Sequence, residues 1–460
     1  MIKLKVSEIA KVVNGEIHKL DPNIIVDQIP VINSKEATTG TFFVAFKGEK
    51  VDGHEFVSEA INNGAAFALV SKSVDYPSIL VADVGEALLT LAAFVRKEIK
   101  DLKLIGITGS QGKTTTKEYL KSILSQVGET IATHGNFNTE IGVPLTVLRC
   151  NEESKFCIVE MGARHVGDIA KLTQATTPDV GVVLCVGTAH IGEFGSVENI
   201  AKTKGELIRA LNNNAVAVLG NFDSFTPKMA DGLNLRKLIV GVDVRAADLE
   251  LPGGFAHFDL VTKSGRVPVS LQQLGEHQVP NALAAATAAF ALGISNEKIA
   301  DGLTTAVISS KWRMEIAEYN DLTIINDFYN ANPESMKAAI KSLVLLSQVG
   351  GGSSWAILGK MHELGDIEKS AHLEIVKYAA EIGVDHLVSV GTELYGLTGI
   401  ENSKELLKEM SFHKCDDLSA VLELSNNFSA GDVLLLKASR SEKFEEIAQA
   451  LKAKWMEVES

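Results

Sequence analysis

Cysteine is scarce in this chain: four residues in 460, at positions 150, 157, 185 and 415, with no CxxC spacing among them. So thin a set indicates neither a zinc site nor a disulfide framework, and it suits a reducing compartment, the cytoplasm. Also missing is any run of about eighteen consecutive apolar residues, so nothing is expected to span a membrane. The opening MIKLKVSEIAKVVNGEI spreads charge through a helical apolar pattern and has no small-residue cleavage site, unlike a secretory signal. Positive charge is in deficit, with 44 Lys and Arg against 58 Asp and Glu for a net charge of -14. That balance argues against a chain built to grip nucleic-acid backbone or an anionic bilayer. A local phosphate site stays open, because helix N-termini and backbone amides bind anions whatever the net charge. No fixed-period repeat and no low-complexity tract is visible.

What is present is ordinary globular composition, 46% hydrophobic and 22% charged, over a length that suggests about three domains. The expected class is α/β in three domains, with limits at 1–98, 99–312 and 313–460. The first block has short elements: a helix VSEIAKVV stopped by Gly15, a strand TFFVAF, a helix EFVSEAINNG and a strand FALV. From about Lys100 the strands become continuous apolar runs, LIGIT at 104–108, FCIVE at 156–160 and VGVVLCV at 180–186. Runs apolar on both faces suit a parallel sheet covered by helices on either side. The third block alternates again, from TIIND through WAILG, HLVSVG and VLLLKAS with helices between, which predicts a second doubly wound, Rossmann-like sheet. Gly350 to Ser354 reads as a loop within that block.

The sharpest chemical signal is the stretch from Gly106 to Thr116 between strand LIGIT and the helical run KEYLKSILSQVG. Thr108, Gly109, Ser110, Gln111, Gly112, Lys113 and Thr114 meet the pattern TGxxGKT, with Thr115 following, although Ile107 stands where the longer GxxxxGK[ST] form has its first glycine. In that order, backbone amides and the helix dipole face an anion, Lys113 reaches the outer phosphates and the Thr114 hydroxyl meets magnesium. Glu160 ends a buried strand and His190 follows another. A carboxylate there needs exposure or a cation, and the C-terminal edge of a parallel sheet is where ligands bind. With the phosphate loop, these two point to a metal site. Lys202 and Lys204, taken alone, read as a solvated helix face. The polar turn from Asn136 to Pro144 reads either as a substrate-orienting loop or as an ordinary cap, and His277 and Asn281 read as a cap before an alanine-rich helix. Asn326 to Pro333, at the end of strand TII, carries enough side-chain donors and acceptors to suggest ligand contact. Leu358 to Gly365 and Lys437 to Arg440 end two further strands of the same sheet.

The chain resembles the Mur ligases of peptidoglycan synthesis through ITGSQGKTTTKE at 107–118, GNFNTEIGVPLTVL at 135–148, VEMGARHVGDI at 159–169, TAHIGEFGS at 188–196, AKTKGEL at 201–207, WRMEI at 312–316 and DFYNANPESM at 327–336. YNANP, with Glu363-Leu364-Gly365, is similar to the type that joins D-alanyl-D-alanine to UDP-N-acetylmuramoyl-tripeptide. The resemblance implies ATP and two magnesium ions as cofactors, with Lys113 and Thr114 serving phosphates and the first ion. It also implies that Glu160, His190 and a carbamylated Lys204 complete the metal sites. Asn281, Arg313 and Asp327 match contacts to ATP; Asn138, Tyr329, Asn330 and Asn332 match the reaction cleft. The N-terminal block, with Ser34, Asp52 and His54, matches the part that takes the UDP end of the substrate. A monomer is implied. The chain departs from the usual pattern at Asn33 and Lys35, Thr139, Lys360 and Ala438. Two other readings are an ATP-dependent ligase adding a single amino acid, such as another Mur type or a folylpolyglutamate synthase, and a nucleotide-dependent switch without turnover.

Overall fold

The computed structural model describes residues 1–48, 50–396 and 410–456; Glu49, 397–409 and 457–460 lie outside the described residues. The N-terminal part is built on a four-stranded sheet in the order Glu16–His18, Ser78–Leu80, Phe67–Val70, Phe42–Val44. Its first pair is antiparallel and the others are parallel. The helix predicted over 55–64 splits in two. A 3-10 turn, Gly53–Phe56, starts from the Asp52 cap, and the α-helix proper is Val57–Asn62. The helix Val84–Glu98 is capped by Asp83, whose carboxylate accepts from the Glu86 amide. Its apolar stripe, Val84, Leu88, Leu91 and Val95, belongs to one cluster with Leu104, Val143, Met161 and Ile169 of the central part. Arg96 at its last turn pairs with Asp179 at 2.8 Å.

The central sheet has six strands in the order Arg236–Ile239, Val216–Leu219, Val180–Val183, Lys103–Thr108, Ser154–Glu160, Glu129–Ala132, all parallel. Apart from Lys103 every residue of the middle strand is buried, as the continuous apolar run requires. The strand expected over 180–186 ends at Val183. Beyond it the backbone turns to the phosphate loop: the Ser110 amide donates to the Cys185 carbonyl, and the Val186 amide donates to the Asp223 carboxylate, each at 2.9 Å. The reading of this block as parallel also omitted an antiparallel sheet of Arg245–Glu250, Phe255–Thr262 and Gly265–Leu274, which packs on the helix Asn296–Thr304. Asn281 lies inside the alanine-rich helix Gln278–Ala291, one turn in, and His277 is its cap residue.

The C-terminal sheet runs Glu315–Tyr319, Leu322–Asn326, Val433–Lys437, Ser354–Leu358, His386–Val390, Ser411–Cys415. Its first strand is antiparallel and was not foreseen; it joins the next through Asn320 and Asp321, both left-handed at φ 46° and 64°, the geometry of a tight hairpin turn. The remaining strands are parallel. The helix Pro333–Gly350 begins in a capping box, with the Asn332 side chain accepting from Ser335 N and the Ser335 hydroxyl from Asn332 N, and Pro333 at its first position. Strand ends of the central and C-terminal sheets meet around one cleft.

Candidate active site

The phosphate loop lies at the end of the middle strand, and the helix Lys113–Ser125 leaves it from Gly112. Gly112 is left-handed at φ 80°, and a Cβ there would stand 2.2 Å from Asn281 Oδ1, so both conformation and space demand glycine. The Ser110 hydroxyl accepts from the Gly187 amide at 2.8 Å, and the Thr108 hydroxyl donates to the Met161 carbonyl at 2.8 Å. These bonds hold the loop open over a cavity of about 680 Å³. Ser110 to Thr115 form one wall of it. The Lys113 ammonium donates to the Gly109 carbonyl at 2.8 Å. Burial pulls its pKa below the ordinary lysine range against the opposing charge of Glu160.

Glu160 reaches the cavity from the next strand. Its carboxylate accepts from the Thr114 hydroxyl and from the Asn138 amide, both at 3.0 Å, while the Glu160 amide donates to Thr133. Two hard oxygen groups side by side at a helix N-terminus fit magnesium, which binds through one or two protein oxygens and keeps substrate phosphate and water for the rest. Among the described residues no cluster of three His, Cys, Asp or Glu side chains forms a self-contained metal cage. His190 lines the cavity, and burial lowers its pKa. Lys204 ends the helix Val197–Lys204 and is 8% exposed. Burial first, and then the charge of Lys113, bring its pKa down to about 7. The solvated-face reading of Lys204 is therefore overturned.

The opposite wall comes from the C-terminal part. Asp327, Tyr329, Asn330 and Asn332 all line the cavity. The Lys437 ammonium, 1% exposed, donates to the Asp327 carboxylate at 2.6 Å and to the Asn330 carbonyl at 3.1 Å. This buried pair pins the segment that follows strand Leu322–Asn326. Arg313 lays its guanidinium over the Tyr329 ring, 4.0 Å from the centroid. Its Nε is buried with no hydrogen-bond partner among the described residues, which suits an anion as the missing acceptor. His277 sits beside them, and burial takes its pKa to about 4.

Contacts at Glu334 and Glu363 join the walls. The Thr188 amide and hydroxyl both donate to Glu334, at 3.0 Å. His190 Nδ1 lies 2.5 Å from Glu363 Oε2. The Gly192 amide donates to the Glu363 carbonyl at 3.0 Å.

Ser34, Asp52 and His54 lie away from this cavity, within the N-terminal part, and bond to their own surroundings. The Ser34 hydroxyl donates to Glu59 at 2.6 Å; Asp52 accepts from the His54 amide at 3.0 Å and from Lys72 at 2.6 Å. His54, 8% exposed, accepts at Nε2 from the Ser71 amide. Thr108, Gly109 and Lys204 are not part of the cavity wall either; the two loop residues shape it from beneath. Sequence reasoning passed over Lys437, Glu334 and Glu363 as individual site residues. Lys437 and Glu363 stood in strand-end stretches already singled out, whereas Glu334 looks like any acid in a helix's first turn. Phe222, half exposed at the cavity rim, gave no signal.

A nucleotide loop, a carboxylate beside its helix and a second α/β wall closing over both define a class of ATP-using ligases. Three family models match the chain: Mur ligase family, catalytic domain, over 30–100; Mur ligase middle domain, over 107–289; and Mur ligase, glutamate ligase domain, over 312–440. The chain belongs to the Mur ligase family, and within it to the MurF type. It is similar to a Mycobacterium tuberculosis protein named UDP-N-acetylmuramoyl-tripeptide--D-alanyl-D-alanine ligase, 35% identical with 98% of each chain covered. Among solved structures it is similar to MurF from Acinetobacter baumannii, with a TM-score of 0.88 at 33% identity over 98% of this chain and 99% of that one. It is similar also to MurF from Thermotoga maritima in complex with ADP, with a TM-score of 0.79 at 30% identity over 94% and 99%.

Proposed function

We propose that this protein uses ATP to join D-alanyl-D-alanine to UDP-N-acetylmuramoyl-tripeptide, making the pentapeptide precursor of peptidoglycan, as a monomer in the cytoplasm. The observation that carries the reading is the single cavity in which the phosphate loop faces Tyr329 to Asn332. Domain limits at 1–98, 99–312 and 313–460 go with it, the first domain taking the UDP end near Ser34, Asp52 and His54.

The tripeptide carboxylate attacks the γ-phosphorus of ATP, giving an acyl phosphate and ADP. The dipeptide amine then attacks the acyl carbon, and inorganic phosphate leaves from a tetrahedral intermediate. Both steps crowd anions together. The loop amides from Ser110 to Thr115, the Lys113 ammonium and the unpartnered Arg313 Nε are placed to offset that charge. Lys113 exchanges its bond to the Gly109 carbonyl for phosphate oxygen. Thr114 and Glu160 would hold one magnesium; Glu160, His190 and a carbamylated Lys204 would hold a second. When bound, magnesium neutralises charge on the transferring phosphoryl group. A lysine near pKa 7 supplies the neutral amine that carbamylation needs. Asn138, Tyr329, Asn330 and Asn332 orient the reacting groups, and the contacts at Glu334 and Glu363 keep water from the acyl phosphate.

The test is ADP release with UDP-N-acetylmuramoyl-tripeptide and a panel of acceptors. Turnover is expected with D-alanyl-D-alanine and to fall at least a hundredfold with glutamate or any other single amino acid. Turnover with a single amino acid instead would assign a different ligase, and nucleotide binding without turnover would leave a switch.

A further inference from the structure

We infer that Glu363 is a positioning residue for His190: through it the C-terminal domain fixes the imidazole of the central domain, leaving Nε2 to face the reaction cavity. The inference rests on the reading of that cavity as the ligase site and goes beyond it.

Three observations converge. His190 lines the cavity while Glu363 does not, so the Glu363 side chain meets the cavity through the ring it holds. The 2.5 Å contact uses Nδ1. Nδ1 is thus the ring nitrogen set against the carboxylate, and because an ionised carboxylate only accepts, the inference puts the ring hydrogen on Nδ1 and leaves the Nε2 lone pair for a metal or a proton. Both partners are also held in the left-handed region, each at φ 62°. That conformation is unfavourable for residues other than glycine and persists where the surroundings impose it.

Stability alone does not account for this arrangement. The two side chains are 35% and 47% exposed, and an ion pair so open to water contributes little to folding. The neighbouring backbone makes the approach possible. A Cβ at Gly192 would lie 2.9 Å from the Gly365 amide nitrogen and 3.0 Å from the Glu363 carbonyl, so glycine there lets the two domains touch. The charged groups facing the ring from the packed elements are Lys113 and Lys204 on the central side and Glu363 on the other.

The experiment compares full-length Glu363→Ala and Glu363→Gln with wild type. Glu363→Ala is expected to lower kcat at least tenfold with KM for ATP within twofold, since the phosphate loop is untouched. Glu363→Gln keeps an acceptor oxygen and is expected to restore kcat to within threefold. Independently of activity, histidine ¹⁵N spectra of the metal-free and nucleotide-free protein should show His190 locked as the Nδ1–H tautomer in wild type and as a tautomer mixture in Glu363→Ala. An unchanged tautomer in Glu363→Ala overturns the inference, as does kcat within twofold of wild type. A change confined to the radius of gyration in solution scattering, with the tautomer intact, makes the contact a latch and overturns it too. If wild type fails to turn over in the acceptor assay, the functional reading falls while the tautomer result still judges the contact.

Discussion

Lys204 shows how a residue's surroundings reverse its apparent meaning. In sequence it is one of two lysines on a polar helix face, and only the family pattern picks it out. In the fold it is buried near a second lysine, an environment that penalises an ammonium and favours a neutral amine. A carbamate on that nitrogen would turn an unfavourable cation into an anion facing Lys113. Lys204→Ala is expected to lose at least a hundredfold in kcat, partly regained with added short carboxylic acids that fill the vacated space; steady-state ADP release measures both. Full residual activity, or no rescue by any acid, would count against the carbamate. Lys437 teaches the converse. Nothing in VLLLKAS separates this lysine from a solvated strand end, yet its three bonds to Asp327 and Asn330 set the shape of the cleft.

The elements most legible in the sequence were those with one dominant cause. The buried parallel strands announced themselves as apolar runs, and the phosphate loop by its glycines between strand and helix. Less legible were elements whose pattern is diluted by exposure. Glu315–Tyr319 is an edge strand with no fully buried residue, and the antiparallel sheet from Arg245 to Leu274 is interrupted by Pro252, Gly253, Gly254 and Gly265. The turn after Val183 was hidden because Leu184, Cys185 and Val186 are as apolar as the strand they leave. At the phosphate loop, Gly112→Ala has nowhere to put its methyl group: the Asn281 side chain must move and the left-handed turn must be strained. ATP affinity is expected to weaken at least a hundredfold by calorimetry. Because the change is local to the turn, the melting temperature should fall by only a few degrees.

At the scale of the molecule, the site belongs to neither wall alone. Residues from 110 to 190 face residues from 313 to 437, and no local pattern says which strand ends will meet. The resemblance supplied the partners; the contacts that seat them had to be seen. Glu334 is the clearest, accepting both donors of Thr188 across the cleft. Glu334→Ala is expected to loosen that seat and let water reach the acyl phosphate, raising ADP release without the dipeptide severalfold while coupled turnover falls. Equal acceptor-free rates in variant and wild type would show that the contact does not seal the cleft. The helix Val84–Glu98 carries a different consequence. Its stripe is shared with the central sheet, and Arg96 is anchored to Asp179, so a hybrid enzyme made by grafting a relative's first module should be joined ahead of Asp83. A splice at residue 98 would hand the nucleotide-binding half a foreign helix against its own core, and the mismatch would read as misfolding even if both parents were sound.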